Sequence, residues 1–341
     1  MCQILKDSIS KAILTGGAGF IGSHLVDALI SRGCEVAVLD NLSGGKLNNL
    51  ARWCGNSRFS FVQGDLLKPN DIKDTIANCE VVFHFAASPD VRVGANDTKV
   101  DYEQNILATY NLLEAMRKSN SCKGIVFTSS STVYGEAKII PTTENYGPLK
   151  PISLYGASKL ACESLISGYA HMFGFKSVIC RLANVVGSRC THGVIYDFVR
   201  KLQENPKRLG VLGDGTQKKS YLYIDDCIDA HLIAVENAHD PVEIYNVGSE
   251  DTVDVLTIAN IVADEMGLDC VEIYKAGGVD DGRGWKGDVK EMFLDISKLR
   301  RLGWKPKLSS VEAVRLALKD VLSDLQTAKV SCCRMERTVR F

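Results

Sequence analysis

Tyr155 and Lys159 stand four residues apart, a spacing that places both side chains on one face of a helix. A tyrosine with its ordinary pKa of about 10 is a poor base at neutral pH, but a nearby ammonium favours the phenolate. The pair could therefore take the proton of a substrate hydroxyl while the carbon beneath gives a hydride to a nicotinamide. Tyrosine and lysine at this spacing are also common on helix surfaces, so the pair needs support from elsewhere in the chain.

A run of hydroxyl side chains that includes Ser130 follows the apolar residues 124–127. At the end of a central strand these hydroxyls are well placed to hold a substrate oxygen. The alternative is a polar transition from strand to loop.

Three glycines, Gly16, Gly19 and Gly22, connect the first apolar run to the first amphipathic stretch. A glycine loop there lets the backbone approach a pyrophosphate, and the N-terminus of the following helix offers free N–H groups. Asp40 ends the second apolar run, where a carboxylate can accept hydrogen bonds from the adenosine ribose and would repel a 2′-phosphate. This order of elements predicts a site for NAD rather than NADP, although Asp40 could also be a simple turn residue.

Two further strand ends are candidate parts of the same site. Asp65 follows the third apolar run and could contact the adenine. Phe85, Ala86 and Ala87 end the fourth run, with small residues where a cofactor could pass close to the backbone. Ligands of doubly wound sheets lie at these carboxyl ends, but ordinary strand-end packing explains each feature equally well.

The framework for these residues is visible in the first half of the chain, where short apolar runs alternate with amphipathic stretches. The apolar runs predict strands at 12–15, 35–39, 59–63, 81–85, 124–129 and 177–181. The amphipathic stretches predict helices at 20–31, 70–77, 98–118 and 154–173. The predicted fold class is α/β, a doubly wound (Rossmann) parallel sheet with a smaller C-terminal substrate-binding α/β region.

The regular alternation weakens after residue 184, where glycine-, proline- and charge-rich stretches separate shorter elements. We predict an NAD-binding domain over 1–184 and a substrate-binding region over 185–326, interleaved with late strands of the main sheet such as 244–247. A last amphipathic helix is predicted at 310–326. Residues 327–341 are a basic tail that we predict to be flexible.

Composition argues against several classes of function. The net charge of −1 provides no overall field to attract nucleic acid or an anionic membrane. No apolar run reaches the length of about 18 residues that a transmembrane helix needs, and the N-terminus lacks a signal-peptide core, so we expect a cytoplasmic protein. The twelve cysteines form no C-x-x-C pair or zinc-spaced cluster, so free thiols and no metal site are expected.

Taken together, the motifs resemble the extended short-chain dehydrogenase/reductase superfamily and, within its NAD-dependent epimerase/dehydratase family, the UDP-glucose 4-epimerase-like enzymes. The matching segments span nearly the whole chain: TGGAGFIGSH (15–24), LDNLS (39–43), QGDL (63–66), HFAA (84–87), FTSSSTVYG (127–135), YGASK (155–159), RLANVVG (181–187) and YLYIDD (221–226). Several motifs in the right order are far more specific than any one of them.

The resemblance implies a role for each matching residue. Tyr155 is the acid/base, Lys159 positions the nicotinamide ribose and lowers the pKa of the tyrosine, and Ser130 binds the reacting hydroxyl. Apart from Tyr155 and Lys159, the implied cofactor-binding residues are Gly16, Gly19, Phe20, Ile21, Gly22, Asp40, Asn41, Asp65, Leu66, Phe85, Ala86, Ala87 and Asn105. The resemblance also implies a homodimer that pairs the helices at 98–118 and 154–173.

Ser131 and Thr132, directly after Ser130, separate the reactions of this family. The resemblance implies Asp-Glu at these positions in a 4,6-dehydratase and a Glu at the second in a decarboxylase. Neither hydroxyl readily serves as the acid or base that elimination requires. We therefore expect a 4-epimerase with retained NAD, first of all for UDP-glucose and UDP-galactose. The alternatives are UDP-glucuronate or a UDP-N-acetylhexosamine as substrate, a nucleotide-sugar ketoreductase, and a non-catalytic NAD-binding sensor.

The implied substrate-binding residues are Ser130, Ser131, Asn184, Lys219, Arg283 and Met292. Lys219 and Arg283 stand near the positions where the best-known epimerases carry arginines for the pyrophosphate, although lysine lacks the bidentate geometry. Met292 is at the position that gates the sugar pocket, and it does not decide between a hexose and an N-acetylhexosamine. Arg189 and His192 could reach the sugar or a uronate carboxylate, or they could be surface loop residues.

Overall fold

A computed structural model of the chain describes the backbone of residues 9–77, 79–119, 121–279 and 281–338, with side chains described as far as residue 326. In these segments no helix combines the length and the apolar character needed to cross a membrane. The cysteines whose side chains are described are free thiols.

Strands and helices alternate along the first half of the chain. The strands are β1 (Lys11–Thr15), β2 (Glu35–Asp40), β3 (Phe59–Gln63), β4 (Val81–His84), β5 (Gly124–Ser130), β6 (Lys176–Leu182), β7 (Asn184–Val186), β8 (Arg208–Val211), β9 (Lys218–Lys219), β10 (Tyr221–Tyr223), β11 (Val242–Val247), β12 (Val253–Asp254), β13 (Glu272–Lys275) and β14 (Glu291–Met292). The helices are α1 (Phe20–Ser31), α2 (Pro69–Ile76), α3 (Thr98–Asp101), α4 (Ala108–Lys118), α5 (Leu154–Phe173), α6 (Val194–Glu204), α7 (Ile224–Glu236), α8 (Val255–Glu265), α9 (Ser297–Arg301) and α10 (Ser310–Thr338).

The main sheet of the described chain is parallel and has seven strands in the order β11-β6-β5-β4-β1-β2-β3. The chain adds β2 and β3 on one side of β1 and then crosses back to place β4 on the other side. The strand order therefore reverses between β1 and β4, the place where doubly wound sheets open a ligand crevice. The predicted doubly wound fold is confirmed.

Both faces of this sheet are covered by helices. Along β4, Val81 and Phe83 belong to the core that includes α1 and α7, whereas Val82 belongs to the core that includes α2, α4 and α5. Successive residues of a strand point to opposite faces, so a strand covered on both sides needs a continuous apolar run. This explains why β4 shows no alternation of apolar and polar residues.

A smaller region follows β6 and has a core of its own, in which Val199 of α6, Ile258 of α8 and Val314 of α10 are fully buried. The chain leaves this region through α7 to add β11 to the main sheet beside β6, and then returns to it. Within the region, β9 pairs with both β12 and β14, which brings Lys219 into register with Met292.

Two helices differ from their predicted bounds. The helix predicted at 98–118 is interrupted, because α3 ends at Asp101, the turns at Tyr102–Leu107 are π-helical, and α4 begins at Ala108. Apolar periodicity does not reveal such a widened turn, which is often found at functional sites. The helix predicted to end at residue 326 continues to Thr338, and the last three residues of the predicted tail lie outside the described part.

Candidate active site

A cavity of about 960 Å³ opens along the carboxyl edge of the main sheet. Its wall begins at the glycine loop after β1, passes the ends of β2 to β5, and reaches α6 and β9. Each residue that the sequence predicted for cofactor, substrate or catalysis lines it, except Asn105 and Arg283. Among the residues whose side chains are described, no group of His, Cys, Asp and Glu could hold a metal ion.

The glycine loop is packed so closely that side chains do not fit in it. Gly16 has a φ of +71°, and a Cβ there would lie 2.6 Å from the backbone nitrogen of Ala86. A Cβ on Gly22 would overlap the carbonyl oxygen of Gly16. Gly16 therefore permits the left-handed turn against β4, and Gly22 lets α1 begin directly against the loop.

Free backbone donors and a buried carboxylate adjoin this loop. Gly19 caps α1 in an extended conformation without a side-chain hydrogen bond, so the first N–H groups of α1 remain available at the cavity wall. Buried Asp40 accepts hydrogen bonds from the N–H of Ala18 at 2.9 Å and of Leu42 at 2.8 Å, and each carboxylate oxygen keeps a second lone pair. These residues fit the diphosphate and ribose of a dinucleotide, and the charge of Asp40 disfavours a 2′-phosphate.

The end of β3 continues the same wall. The side-chain amide of Asn41 donates a hydrogen bond to Asp65 at 3.3 Å, and the other carboxylate oxygen of Asp65 accepts one from the N–H of Leu67 at 2.9 Å. These contacts fix the Asp65 side chain beside Leu66, in the part of the cavity predicted for the adenosine.

Tyr155, Lys159 and Ser130 meet in the wall between the two ends of the cavity. Tyr155 and Lys159 lie on the first two turns of α5, and Ser130 ends β5. The Ser130 hydroxyl is near enough to the Tyr155 phenol to lower its pKa, and it accepts a hydrogen bond from the N–H of Thr132 at 3.2 Å. The Lys159 ammonium lies 5.7 Å from the centre of the Tyr155 ring and donates to the carbonyl of Thr128 at 2.9 Å. The structure therefore brings the three predicted catalytic residues together.

Burial controls the protonation of the Tyr155–Lys159 pair. It raises the pKa of Tyr155 above its ordinary value; the carboxylate of Asp101 raises this pKa further, and the hydrogen bond with Ser130 opposes the shift. Burial also lowers the pKa of Lys159 to about 8. Desolvation of the phenol outweighs the opposing contact with Ser130, and the expectation that Lys159 lowers the pKa of Tyr155 stays a prediction.

Asn105 does not line the cavity but joins the elements behind it. Its side-chain oxygen accepts a hydrogen bond from the N–H of Ser88 at 2.9 Å. Its amide group donates to the Ser158 hydroxyl at 2.8 Å and to Asp101 at 3.3 Å. Asn105 thus links the segment after β4 to the first turn of α5, a structural position rather than one in the cofactor wall.

A buried ion pair behind the site was not found from the sequence. The side chains of Arg181 in β6 and Glu163 in α5 are 2.7 Å apart and nearly inaccessible to solvent. Glu163 also accepts a hydrogen bond from Ser129 at 2.5 Å, and Arg181 donates to the Tyr134 hydroxyl at 2.9 Å. The pair fastens α5 to β5 and β6. An arginine within an otherwise apolar strand was the available signal.

Four of the residues predicted for the substrate line the far end of the cavity: Ser131, Asn184, Lys219 and Met292. The Lys219 ammonium donates to the buried carboxylate of Asp288 at 2.5 Å and lies 5.1 Å from the centre of the Trp285 ring. Trp285 and Asp288 were not predicted as site residues. The only signal for them in the sequence was their position within and just after the glycine-rich stretch 277–287.

Two arginines that the sequence suggested for the substrate pair with carboxylates in this structure. Arg283 does not line the cavity and pairs with Glu136 at 2.5 Å, so its assignment as a substrate residue stays a prediction. Arg189 reaches the cavity wall, but its guanidinium pairs with Asp27 of α1 at 2.7 Å. His192 lines the cavity, and burial lowers its pKa.

Known proteins match the chain over most of its length. The model of the NAD dependent epimerase/dehydratase family matches residues 12–248. A UDP-glucose 4-epimerase of Mycolicibacterium smegmatis is 30% identical over 311 residues, which are 89% of this chain and 96% of the relative. A solved structure of a UDP-galactose 4-epimerase is 44% identical, with a TM-score of 0.82, over 92% of this chain and 99% of the other.

A third match differs in its sugar. The UDP-glucuronic acid 4-epimerase of Bacillus cereus, solved as a tyrosine-to-phenylalanine mutant with a fluorinated UDP-glucuronic acid and NAD, is 29% identical, with a TM-score of 0.82, over 92% of this chain and 99% of the other. The three names agree on a UDP-sugar and on position 4, and they differ in the sugar itself.

Proposed function

Because this chain belongs to the NAD dependent epimerase/dehydratase family, we propose that it interconverts UDP-glucose and UDP-galactose through a transient 4-keto sugar. It is an NAD-dependent nucleotide-sugar epimerase, and the proposal concerns the sugar and the residues that act on it. The observation that carries the proposal is the grouping of Ser130, Tyr155 and Lys159, with Ser131 and Thr132 where an elimination would need carboxylates.

Ser130 and Tyr155 would handle the proton of the sugar. The glycine loop and Asp40 would hold NAD, which would supply the reversible hydride chemistry at C4 of the sugar. Ser130 would hold the 4-hydroxyl against the Tyr155 phenolate, which takes the proton as C4 is oxidised and gives it back when C4 is reduced. Lys159, charged below its pKa of about 8, would hold the cofactor ribose and supply positive charge beside the phenolate.

The far end of the cavity would anchor the nucleotide while the keto sugar turns over. Lys219 would be the cation that binds the diphosphate, and its ammonium is held by Asp288 and lies near the Trp285 ring. Asn184 lines the same part of the wall and would donate to a phosphate oxygen. An anchor at the nucleotide leaves the sugar free to present either face to the cofactor, which a 4-epimerisation requires.

Charge in the cavity wall favours a neutral hexose over a uronate. Both arginines that line the described cavity are already paired, Arg92 with Asp90 at 3.0 Å and Arg189 with Asp27 at 2.7 Å. A uronate carboxylate would have to displace one of these partners, whereas a hexose hydroxymethyl group needs no cation.

A homodimer through α4 and α5 also belongs to this proposal. Both helices leave apolar side chains exposed, among them Tyr110 on α4 and Met172 and Phe173 at the end of α5. A second copy that pairs the same helices would cover them. Light scattering on the purified protein tests this, and Met172→Glu is expected to weaken the dimer, whereas Leu47→Glu, at an exposed site away from these helices, is not.

The decisive experiment follows UDP-galactose by NMR with purified protein and no added cofactor. Interconversion with UDP-glucose is expected, and Tyr155→Phe should reduce it at least about 1,000-fold, since the acid/base is lost. Tyr274→Phe, which removes an exposed phenol from β13, is the matched control and should keep full activity.

The other substrates and activities give different results in the same assay. Turnover confined to UDP-glucuronate or a UDP-N-acetylhexosamine would replace the proposed sugar while leaving the chemistry in place. Stoichiometric consumption of added NADH would identify a ketoreductase. Tightly bound NAD without any conversion, together with an undiminished biological effect of Tyr155→Phe, would indicate a sensor.

A further inference from the structure

Asp101 ends α3 immediately before the π-helical turns, and it is only 2% exposed. One of its carboxylate oxygens, Oδ1, accepts a hydrogen bond from Asn105 at 3.3 Å. The other, Oδ2, is buried without a hydrogen-bond partner in the described part of the chain. An incompletely bonded buried carboxylate costs free energy, so its presence here calls for a reason.

A glycine admits this carboxylate to the side of the catalytic helix. A Cβ at Gly94 would overlap Oδ2 of Asp101, and it would lie 3.1 Å from the Cβ of Leu154. Leu154 begins α5, one residue before Tyr155. The carboxylate therefore lies close to the first turn of α5, in space that any other residue at position 94 would fill.

Asn105 connects Asp101 to that turn by hydrogen bonds. The amide group of Asn105 donates to Asp101 and to the Ser158 hydroxyl, and Ser158 donates to the backbone carbonyl of Tyr155 at 2.8 Å. The N–H of Ser88 donates to the Asn105 oxygen at 2.9 Å. A carboxylate on one side and an N–H on the other allow the amide only one orientation, so Asp101 helps to fix Asn105 and, through it, the turn that carries Tyr155.

The other charged and titratable groups around the pair differ from Asp101 in having a partner of their own or no charge. Glu163 also raises the pKa of Lys159, but its carboxylate is paired with Arg181 at 2.7 Å. His84 of β4 is buried and its pKa is lowered to about 3, so it carries no charge at neutral pH, and burial raises the pKa of the Cys162 thiol. Burial raises the pKa of Asp101 and the charge of Lys159 lowers it, and no hydrogen-bond partner reaches its Oδ2 among the described residues.

We infer that Asp101 is a positioning residue of the reaction, whose buried carboxylate holds Asn105 and the first turn of α5 in place and balances the charge of Lys159. This inference rests on the proposed roles of Tyr155 and Lys159. It explains why the Asp101 carboxylate occupies a place where its second oxygen finds no donor. The ammonium of Lys159, which is buried on α5 together with Tyr155, requires a negative charge nearby to remain protonated.

The sign of the effect follows from the charge. Cys162, Glu163 and Asp101 each raise the pKa of Lys159 against the effect of burial, and Asp101 also raises the pKa of Tyr155. Removal of the charge should therefore lower both values. Lys159 would lose its proton at a lower pH, so the alkaline limit of catalysis should move toward neutrality.

The first experiment uses Asp101→Asn in the protein as purified with its NAD. The alkaline limb of kcat/KM against pH is expected to move down by about half a unit or more, with the NAD content of the protein unchanged. Glu103→Gln is the matched control, because Glu103 is two residues away and pairs with Lys99 at the surface. A limb that stays in place, even with a lower kcat at every pH, would reduce Asp101 to a structural residue and overturn the inference.

A second measurement does not depend on turnover. Protein labelled with [ζ-13C]tyrosine reports the titration of each phenol by NMR, and the resonance missing in Tyr155→Phe identifies Tyr155. The pH at the midpoint of this titration should be lower in Asp101→Asn than in the native protein. If that variant folds poorly, Asp101→Ser should show the same change, because its smaller neutral side chain can still accept a hydrogen bond from Asn105. An unchanged midpoint in a folded variant contradicts the inference. A shifted midpoint in a protein that converts none of the tested sugars would contradict the proposed function and leave the coupling intact.

Discussion

The cavity has a cofactor end, formed by the glycine loop, Asp40 and Asp65, and a nucleotide end, formed by Asn184 and Lys219, where we propose that the nucleotide of the sugar substrate binds. The two ends are built in different ways. At the glycine loop of the cofactor end the wall is formed by backbone, since Gly16 packs on the backbone of Ala86 and the N-terminus of α1 carries no side-chain cap. At the nucleotide end they come from side chains, since Lys219 is held by Asp288, 69 residues further along the chain. One end depends on the conformation of a single loop, and the other depends on how separate segments come together.

This difference decides what can be altered at each end. A backbone site has no side chain to exchange, so a Cβ at Gly16 or Gly22 disrupts it. A side-chain site tolerates substitution as long as its charges remain balanced. We therefore expect mutations at the cofactor end to act on the fold and on NAD together, and mutations at the nucleotide end to act on the substrate alone.

Gly16→Val should have the largest effect. The new side chain would meet the backbone of β4 at a position with φ of +71°, so we expect a loss of about 3 kcal/mol or more in the free energy of unfolding and protein without NAD. Thermal melting and the NAD content of denatured protein measure both. Gly44→Ala is the control, since a Cβ at position 44 has no heavy atom within 4 Å. Retention of NAD in Gly16→Val would show that the backbone conformation of the loop does not determine whether the protein binds NAD.

The same difference explains what the sequence could predict. The glycine loop and Asp40 were recognisable because a left-handed turn, a close backbone approach and a strand-end carboxylate are local requirements that leave their mark on single residues. The sheet followed from apolar runs, because a strand buried on both faces can be little else.

Side-chain partners from distant segments left no such mark. Lys219 was placed at the cavity, but its partner Asp288 was not, and Arg283 was assigned to the substrate because its spacing could not show that Glu136 lies beside it. The π-helical turns after Asp101 were invisible for a similar reason, since a widened turn keeps the apolar pattern of a helix.

Lys219→Met tests the nucleotide end. It removes the cation that we propose for the diphosphate and leaves the buried Asp288 carboxylate unpaired, so we expect KM for the nucleotide sugar to rise about 10- to 100-fold, with the NAD content unchanged. Lys219→Arg keeps the charge and should stay within about threefold of the native KM. Loss of NAD in Lys219→Met would show that the two ends are not independent.

The pH dependence distinguishes the catalytic centre from the nucleotide end. Catalysis needs the ammonium of Lys159, whose pKa burial lowers to about 8, together with the phenolate of Tyr155, whose pKa burial raises, so the alkaline limb, in which the slope of log kcat/KM against pH falls by about one, should begin near pH 8. Affinity for UDP, measured in parallel by calorimetry, should not show this limb, because Lys159 does not belong to the nucleotide end. In Lys159→Arg the side chain stays charged, and whatever activity remains should lose the alkaline limb.

Arg283→Ala should have the smallest effect, although the sequence placed Arg283 beside the diphosphate. Its guanidinium is directed to Glu136 and Asp281 outside the cavity, so we expect KM for the nucleotide sugar to change by less than about threefold and the NAD content to stay the same. Steady-state kinetics beside Lys219→Met provides the comparison within one assay. An increase in KM as large as that of Lys219→Met would mean that Arg283 leaves Glu136 to reach the diphosphate when substrate binds. The nucleotide end would then be assembled by the ligand, in contrast to a cofactor end that the backbone forms beforehand.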